Sequence, residues 1–399
     1  MRKTLVIRLM LLVVVLLISG CASEPQRGVT DDTIKIGSWG PQTGPAALWG
    51  AVPRGTKAYF DMINDEGGIH GRKIEYHMRD DGYQPPKTKA AVKEMVEMEG
   101  VFACVGGVGT ATGMAVRDYL AENNVPWVGP TSGSTHWAYP ANDTRFGVYP
   151  LYCHEAAVMV DYAVKEMGKK KIAFFYQNDD YGKLGLYGAE TALANHGLEL
   201  VASVSAEMMD TDLASHAMKL KESGADVVIM WVLPKHAAIM LGTSAKVGFA
   251  PQWMTSSTLS DMAVMFKITK GLWKDVIFAN FAELPTSDHP LMVKYREAQK
   301  KYAPEDRFGV FFYAGILFAE PMVEALKRAG KNLTVDSFVK AMESIDDFQG
   351  IGPKLSFGKG KRQGSDSIFL SKCVTAMEAE QLTDWVTSDL DVENIVAKF

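Results

Sequence analysis

The sequence predicts an α/β protein of two similar lobes, each an open, doubly wound parallel sheet. Three observations predict it. Short apolar runs alternate with amphipathic helical patterns along the chain, which gives parallel strands with helices on both faces. The alternation comes in two series, one closing with the strand "VPWVG" and another starting near Leu151. The 399 residues, 47% of them hydrophobic, suffice for two domains with ordinary cores.

In the first series, "TIKIGSWGP" begins with alternating apolar residues and reads as a strand. "GTKAYFDMIND" has helical spacing and stops at Gly67-Gly68. "RKIEYHMRD" alternates as a strand, and "PPKTKAAVKEMVEME" opens on prolines and continues as an amphipathic helix. "VFACV" is a strand, followed by the glycine loop "VGGVGTATGM" and a helix to Asn123. The second series runs helix "EAAVMVDYAVKEMG", strand "KKIAFFYQ", helix "YGKLGLYGAETALANHG" and strand "LELVASVS". It continues through helix "DLASHAMKLKESG", strand "ADVVIMWV", helix "KHAAIMLGTSAKVG" and the short strand "PQWMTS". The chain then returns through strand "DVIFANF" and two helices, the second carrying Pro321, to strand-like runs around a Gly/Lys/Ser turn.

The first twenty residues are not part of the fold. Arg2 and Lys3 precede the apolar run "LMLLVVVLLI", which ends in small residues before Cys21, the pattern of a secretory signal. The run is short for a membrane anchor and follows Arg8. "LISGC" resembles a bacterial lipobox, and on that resemblance Cys21 is the lipidated first residue of the mature chain. Residues 21–32 then form a tether. Of the other cysteines, Cys104 falls in an apolar strand as a small core residue, and Cys153 and Cys373 are candidates for one bridge.

The chemistry of several enzyme classes is missing. The glycine loop reads Gly107-x-Gly109-x-x-x-Gly113, one residue too long for a dinucleotide fingerprint, and Trp127 stands where a ribose acid is needed. The sequence lacks a P-loop, a Gly-x-Ser-x-Gly elbow, His-Glu-x-x-His and Cys-x-x-Cys. Asp80-Asp81 and Asp179-Asp180 are adjacent pairs, which on a strand point to opposite faces, so they read as loop caps. A net charge of −5 with no basic stripe argues against a nucleic-acid partner. No metal or other cofactor is expected, nor an enzyme.

"IKIGSWGPQTGPAALWG" followed by "INDEGGIHGRKIEYHMRDD" resembles the Leu/Ile/Val-binding family of periplasmic substrate-binding proteins of ABC transporters, with the periplasmic-binding-protein type I fold. "NDDYGKLG", from Asn178 to Gly185, resembles the family's second-lobe motif, and the order of elements matches from Thr33 onward. The resemblance implies a monomeric receptor that delivers a small molecule to a permease and ATPase from a lipid anchor on the membrane. It implies three crossovers, near Gly147–Leu151, Ala279–Glu283 and Gly350–Phe357. One lobe then comprises 33–149 with 281–353, the other 150–280 with 354–399.

It also implies a site. The glycine loop and the turn "PTSGST" hold a ligand carboxylate through Thr110, Thr131, Ser132 and Gly133, which suits helix N-termini physically. Trp49 matches an aromatic lid and Tyr181 the second-lobe tyrosine. Further aromatic candidates are Trp231, which closes the strand "VVIMW", Tyr152, just past a hinge, and Phe308, just before the helix of the returning segment. Amino-acid receptors of the family carry an acid for the ligand's ammonium group, and here that position is Ser257, flanked by Ser256 and Thr258. A buried unpaired ammonium is costly, so a carboxylate without an amine fits better, with a neutral amide as the other option. Asp261 and Glu283 are the nearby acids. A sensory receptor of the same fold, without a transport role, is the competing function.

Overall fold

The computed structural model describes residues 26–398. The signal segment and Cys21 lie outside the described residues. The chain builds two sheets. The first takes the order β2-β1-β3-β4-β5, from strands β1 (Thr33–Trp39), β2 (Lys73–Arg79), β3 (Ala103–Val105), β4 (Trp127–Val128) and β5 (Arg145–Phe146). All its pairings are parallel. The second sheet repeats that order, with β6 (Ile172–Gln177), β7 (Ala202–Ala206), β8 (Val227–Trp231), β9 (Gln252–Thr255) and β10 (Ile277–Asn280). It then adds β11 (Phe369–Cys373) and β12 (Ala379–Gln381), both antiparallel, at the β10 edge. The antiparallel pair departs from the all-parallel expectation. The chain reaches β11 only after a long passage through the first lobe and re-enters the second beside β10, and β12 follows β11 by a short hairpin turn.

Each sheet order places a switch point beside its first strand, between β1 and β3 in one lobe and between β6 and β8 in the other. Ligands in such sheets lie outside the carboxyl ends of the strands at that point. The helices that frame the two switch points are α1 (Ala51–Asp65), α2 (Pro85–Glu97) and α3 (Thr110–Glu122) in the first lobe, and α4 (Tyr152–Lys165) and α5 (Asp180–Asn195) in the second. The second lobe continues with α6 (Ala214–Glu222), α7 (Pro234–Lys246) and α8 (Met262–Ile268). The first lobe is completed by α9 (Pro290–Tyr302), α10 (Val310–Ala329) and α11 (Val335–Glu343). Helices α1 and α10 touch closely, because any Cβ at Gly55 or Gly315 would fall 1.9 Å from a carbonyl oxygen of the other helix.

The chain passes between the lobes after β5, after β10, and again after residue 364. That last position corrects the expected crossover near Gly350–Phe357. Phe348 pairs with Leu355, Gly147 bridges Gln363, and the Phe357 ring packs edge-on to Phe146 at 5.5 Å. Residues 354–364 therefore finish the β5 edge of the first lobe before the chain leaves it. The proposed Cys153–Cys373 bridge does not form either. Cys104, Cys153 and Cys373 are all unpaired and buried. Among the described residues, no helix is long and apolar enough to cross a membrane.

Candidate functional site between the lobes

A narrow cavity of about 30 Å3 lies where the carboxyl ends of the two sheets face each other. Loops after successive first-lobe strands supply Trp49, Tyr83, Val108, Gly109, Thr110 and Thr131. The second lobe supplies Tyr152, Tyr181, Leu233 and Thr258, and the first crossover supplies Tyr149. That volume is far below the roughly 300–1,000 Å3 typical of small-molecule sites, so the lobes stand close together over the site. None of the lining side chains carries a formal charge.

The first-lobe end is built by the glycine loop. Gly109 precedes α3 with φ +106°, and a Cβ there would lie 2.5 Å from the Tyr83 ring. Gly107, φ +85°, leaves no room for a Cβ against the Trp39 indole. The chain thus reaches the helix start in a conformation open to glycine. The N–H groups of residues 110–112 have no helical acceptor, and Gly113 is the first to donate backwards, to the Gly109 carbonyl at 3.1 Å. The Thr110 hydroxyl is 2.7 Å from that of Ser132. Thr131 Oγ1 is buried with no hydrogen-bond partner. Buried hydroxyls are normally paired; Thr131 Oγ1 lies on the Gly106 side, and the free N–H groups at the start of α3 offer the cavity a place for an acceptor-rich group.

Tyr83 reaches the cavity from a turn with φ +61°. Asp81 holds that turn by accepting the Tyr83 N–H at 2.9 Å and the Thr88 hydroxyl at 2.7 Å. Asp80 likewise accepts from the Gly82 N–H and the Thr43 hydroxyl, and Asp179 accepts the Gly182 N–H at the start of α5. These acids cap loops, as their spacing suggests. Burial pushes the Asp81 and Asp179 carboxyls upward from their ordinary range.

The second-lobe end is a cluster of hydroxyls. Tyr181 OH lies 2.7 Å from Thr258 Oγ1, which also contacts Ser256 Oγ. Tyr149 OH lies 2.7 Å from Ser257 Oγ. Behind Ser257 sits Glu155, fully buried at the start of α4. It accepts the Ser257 N–H and, at 2.9 Å, its hydroxyl. Desolvation pushes the Glu155 carboxyl up to about 8, against a smaller opposing effect of the two bonds from Ser257.

The structure sorts the sequence candidates. Trp49, Thr110, Thr131, Tyr152 and Tyr181 line the cavity together. Ser132 stands behind Thr110, and Gly133 accepts the Tyr152 N–H at 2.7 Å where a Cβ would strike the Pro150 carbonyl. Trp231 is one layer back, edge-on to Tyr152 at 5.7 Å and against Phe174. Ser257 is also one layer back. Phe308 is elsewhere: it packs on Phe312 and Tyr313 beneath the Arg296 guanidinium. The "PTSGST" turn leads not into a second long helix but into a single 3-10 turn, Thr135–Trp137. Asp261 caps α8 and meets Arg307 across the lobes at 3.3 Å, and Glu283 accepts from Ser287. Neither acid lines the cavity.

Sequence reasoning missed Tyr83, Tyr149, Leu233 and Glu155. Tyr83 carried a signal, since it follows an Asp-Asp-Gly turn at the end of β2. Glu155 carried none, because it reads as one more polar residue of an amphipathic helix.

Two sheets of matching order, crossing chains and a cavity lined from both carboxyl edges define a two-lobed protein that encloses a small solute. The chain belongs to the periplasmic binding protein family, whose sequence model matches residues 33–380, a family of solute binders rather than enzymes. It is similar to Leu/Ile/Val-binding protein homolog 3 of Brucella melitensis, 34% identical over 49% of this chain. That alignment spans about half of the relative, 53% of its length. Among solved structures, a fatty acid ABC transporter substrate-binding protein from Thermomonospora curvata superposes with a TM-score of 0.83 at 23% identity, covering 92% of this chain and 95% of that one. A branched chain amino acid ABC transporter protein from Thermus thermophilus with bound valine gives 0.83 at 18% identity, covering 90% and 98%. Both likenesses concern the fold.

Proposed function

We propose that this chain is an extracytoplasmic solute-binding lipoprotein that captures a small carboxylate between its lobes and delivers it to an ABC permease and ATPase. The observation that carries the ligand class is the start of α3 in the cavity wall, whose first N–H groups have no helical acceptor, with Thr110 and Thr131 lining the same cavity. These donors and the helix dipole favour an anion. The tyrosine, tryptophan and leucine walls suit an apolar body. No acid lines the cavity, which supports a carboxylate without an amine.

A thermal-shift screen of carboxylates, amino acids and amides tests the reading. A ligand at a hundredfold excess over Kd stabilises by about 2.7 kcal/mol. Stabilisation by amides or amino acids alone contradicts it. Lipidation at Cys21 rests on "LISGC" and is tested separately. Cys21→Ala is expected to leave the chain unprocessed or released from membranes, and unchanged cleavage and partitioning would refute the anchor.

A further inference from the structure

We infer that Glu155 is a specificity-determining residue, which through Ser257 sets whether Tyr149 offers the cavity a hydrogen-bond donor or an acceptor. The inference rests on the cavity being the ligand site. The atoms form one chain. Glu155 Oε1 accepts the Ser257 N–H, so Oε2 is the oxygen left to exchange a proton with Ser257 Oγ, 2.9 Å away. Ser257 Oγ is in turn 2.7 Å from the hydroxyl of Tyr149, a cavity-lining residue.

Each hydroxyl has one proton to give. When Glu155 is ionised, Ser257 donates to it and accepts from Tyr149, whose proton is thereby used up. Tyr149 then has only lone pairs to offer. When Glu155 is protonated it donates to Ser257, Ser257 donates to Tyr149, and the Tyr149 proton is free to bond a ligand. One proton on a residue outside the cavity therefore reverses the polarity of its hinge wall.

Near neutral pH the buried state is the protonated one, because no cation offsets the desolvation of Glu155. The titratable groups that interact with it are the phenols of Tyr149, Tyr152 and Tyr181. On the same helix, His154 turns to Ser388 and Asp366. The wall then presents a donor, which selects a ligand with a carbonyl, carboxylate or other acceptor there and rejects an ammonium group.

Two readouts test this. In the ligand-free protein, infrared titration of the protonated carboxyl band between pH 6 and 9 is compared for wild type, Glu155→Gln, Ser257→Ala and Tyr149→Phe. The wild type is expected to lose a band that Glu155→Gln lacks, and Ser257→Ala and Tyr149→Phe are expected to shift its midpoint. A band unmoved by both substitutions overturns the relay, whether or not any ligand has been found. The second readout is calorimetry with isovalerate and phenylacetate from pH 6 to 9. The Glu155→Gln side chain mimics the protonated acid, with its carbonyl on the Ser257 N–H and its amide donating to Ser257 Oγ. Wild-type affinity is expected to fall at least tenfold by pH 9 while the Glu155→Gln protein holds its affinity. Parallel pH profiles overturn the inference. Absence of binding by either acid counts against the carboxylate reading and leaves the infrared result to decide the relay.

Discussion

Thr131 and Thr110 line the same cavity, but only one of their hydroxyls is committed: Thr110 Oγ1 is 2.7 Å from Ser132 Oγ, while Thr131 Oγ1 has no partner. The two threonines should therefore differ in their effect on binding. Thr131→Val is expected to weaken a carboxylate ligand by about 1.5–3 kcal/mol, the worth of a hydrogen bond to a charged group. It should leave the ligand-free protein as stable as wild type or slightly more so, because a buried unsatisfied hydroxyl is removed. Calorimetry and thermal melts on the one variant check both signs. Thr110→Val should lose less affinity and some stability.

Gly109 and Gly67 separate backbone strain from overlap. Both have nearly the same dihedral, φ +106° and +107°, but a Cβ at Gly109 meets the Tyr83 ring at 2.5 Å and one at Gly67 meets nothing within 4 Å. Gly67→Ala should cost about 1 kcal/mol, the low end of the range for a strained conformation. Gly109→Ala should cost more and also displace Tyr83 from the cavity. Urea unfolding measures the first difference, and ligand affinity the second.

Glu155 also predicts a stability profile. Its carboxyl lies near 8 in the folded chain against an ordinary value of 4.5. The folded state holds the proton more tightly than the unfolded state, so this residue makes stability fall as pH rises from about 4.5 to 8. Glu155→Gln removes that loss. The variant should match wild type at pH 4.5 and exceed it in Tm at pH 8–9. Glu320, buried and raised to about 7 by desolvation, keeps its own contribution in both proteins and cancels in the comparison.

Arg307 and Asp261 join the lobes beside the cavity at 3.3 Å. Arg307 is half-exposed, so Arg307→Ala should cost under about 1 kcal/mol and weaken ligand binding only a few-fold. Asp261→Ala also removes the cap on Val264 N–H and is expected to cost about 0.5–2 kcal/mol of stability. Paired melts and affinities distinguish a latch from a cap.

Much of this was legible in the residue pattern, and the reasons are local. Parallel strands announce themselves as apolar runs, so β6 and β8 stood out. Two-residue β5 was too short to carry a period, and α8 is barely two turns long, whereas α11 was legible in the spacing of Val335, Phe338, Ala341 and Met342 behind the Thr334 cap and was passed over. The family resemblance picked out Trp49, Thr110, Thr131 and Tyr181, and the hinge position picked out Tyr152; the cavity brings all five together. Phe308 misled because proximity to a helix start says nothing about direction. The last crossover was misplaced because residues 354–364 join the first lobe by isolated bridges, such as Gly147 to Gln363, which leave no periodic trace. Glu155 was hidden because its partner, Ser257, lies 102 positions away.

The central claim is that the cavity takes a carboxylate that lacks an amine. Calorimetry at pH 7 with matched pairs tests it most directly: phenylacetate against phenylalanine, and isovalerate against leucine. The first-lobe donors serve both members of a pair, whereas only the amino acid must bury an ammonium group in a cavity whose second-lobe wall offers Thr258 and tyrosine hydroxyls and no acid. The simple acid is expected to bind at least about tenfold more tightly, or roughly 1.4 kcal/mol. Tighter binding of the amino acid in every responsive pair would contradict the account.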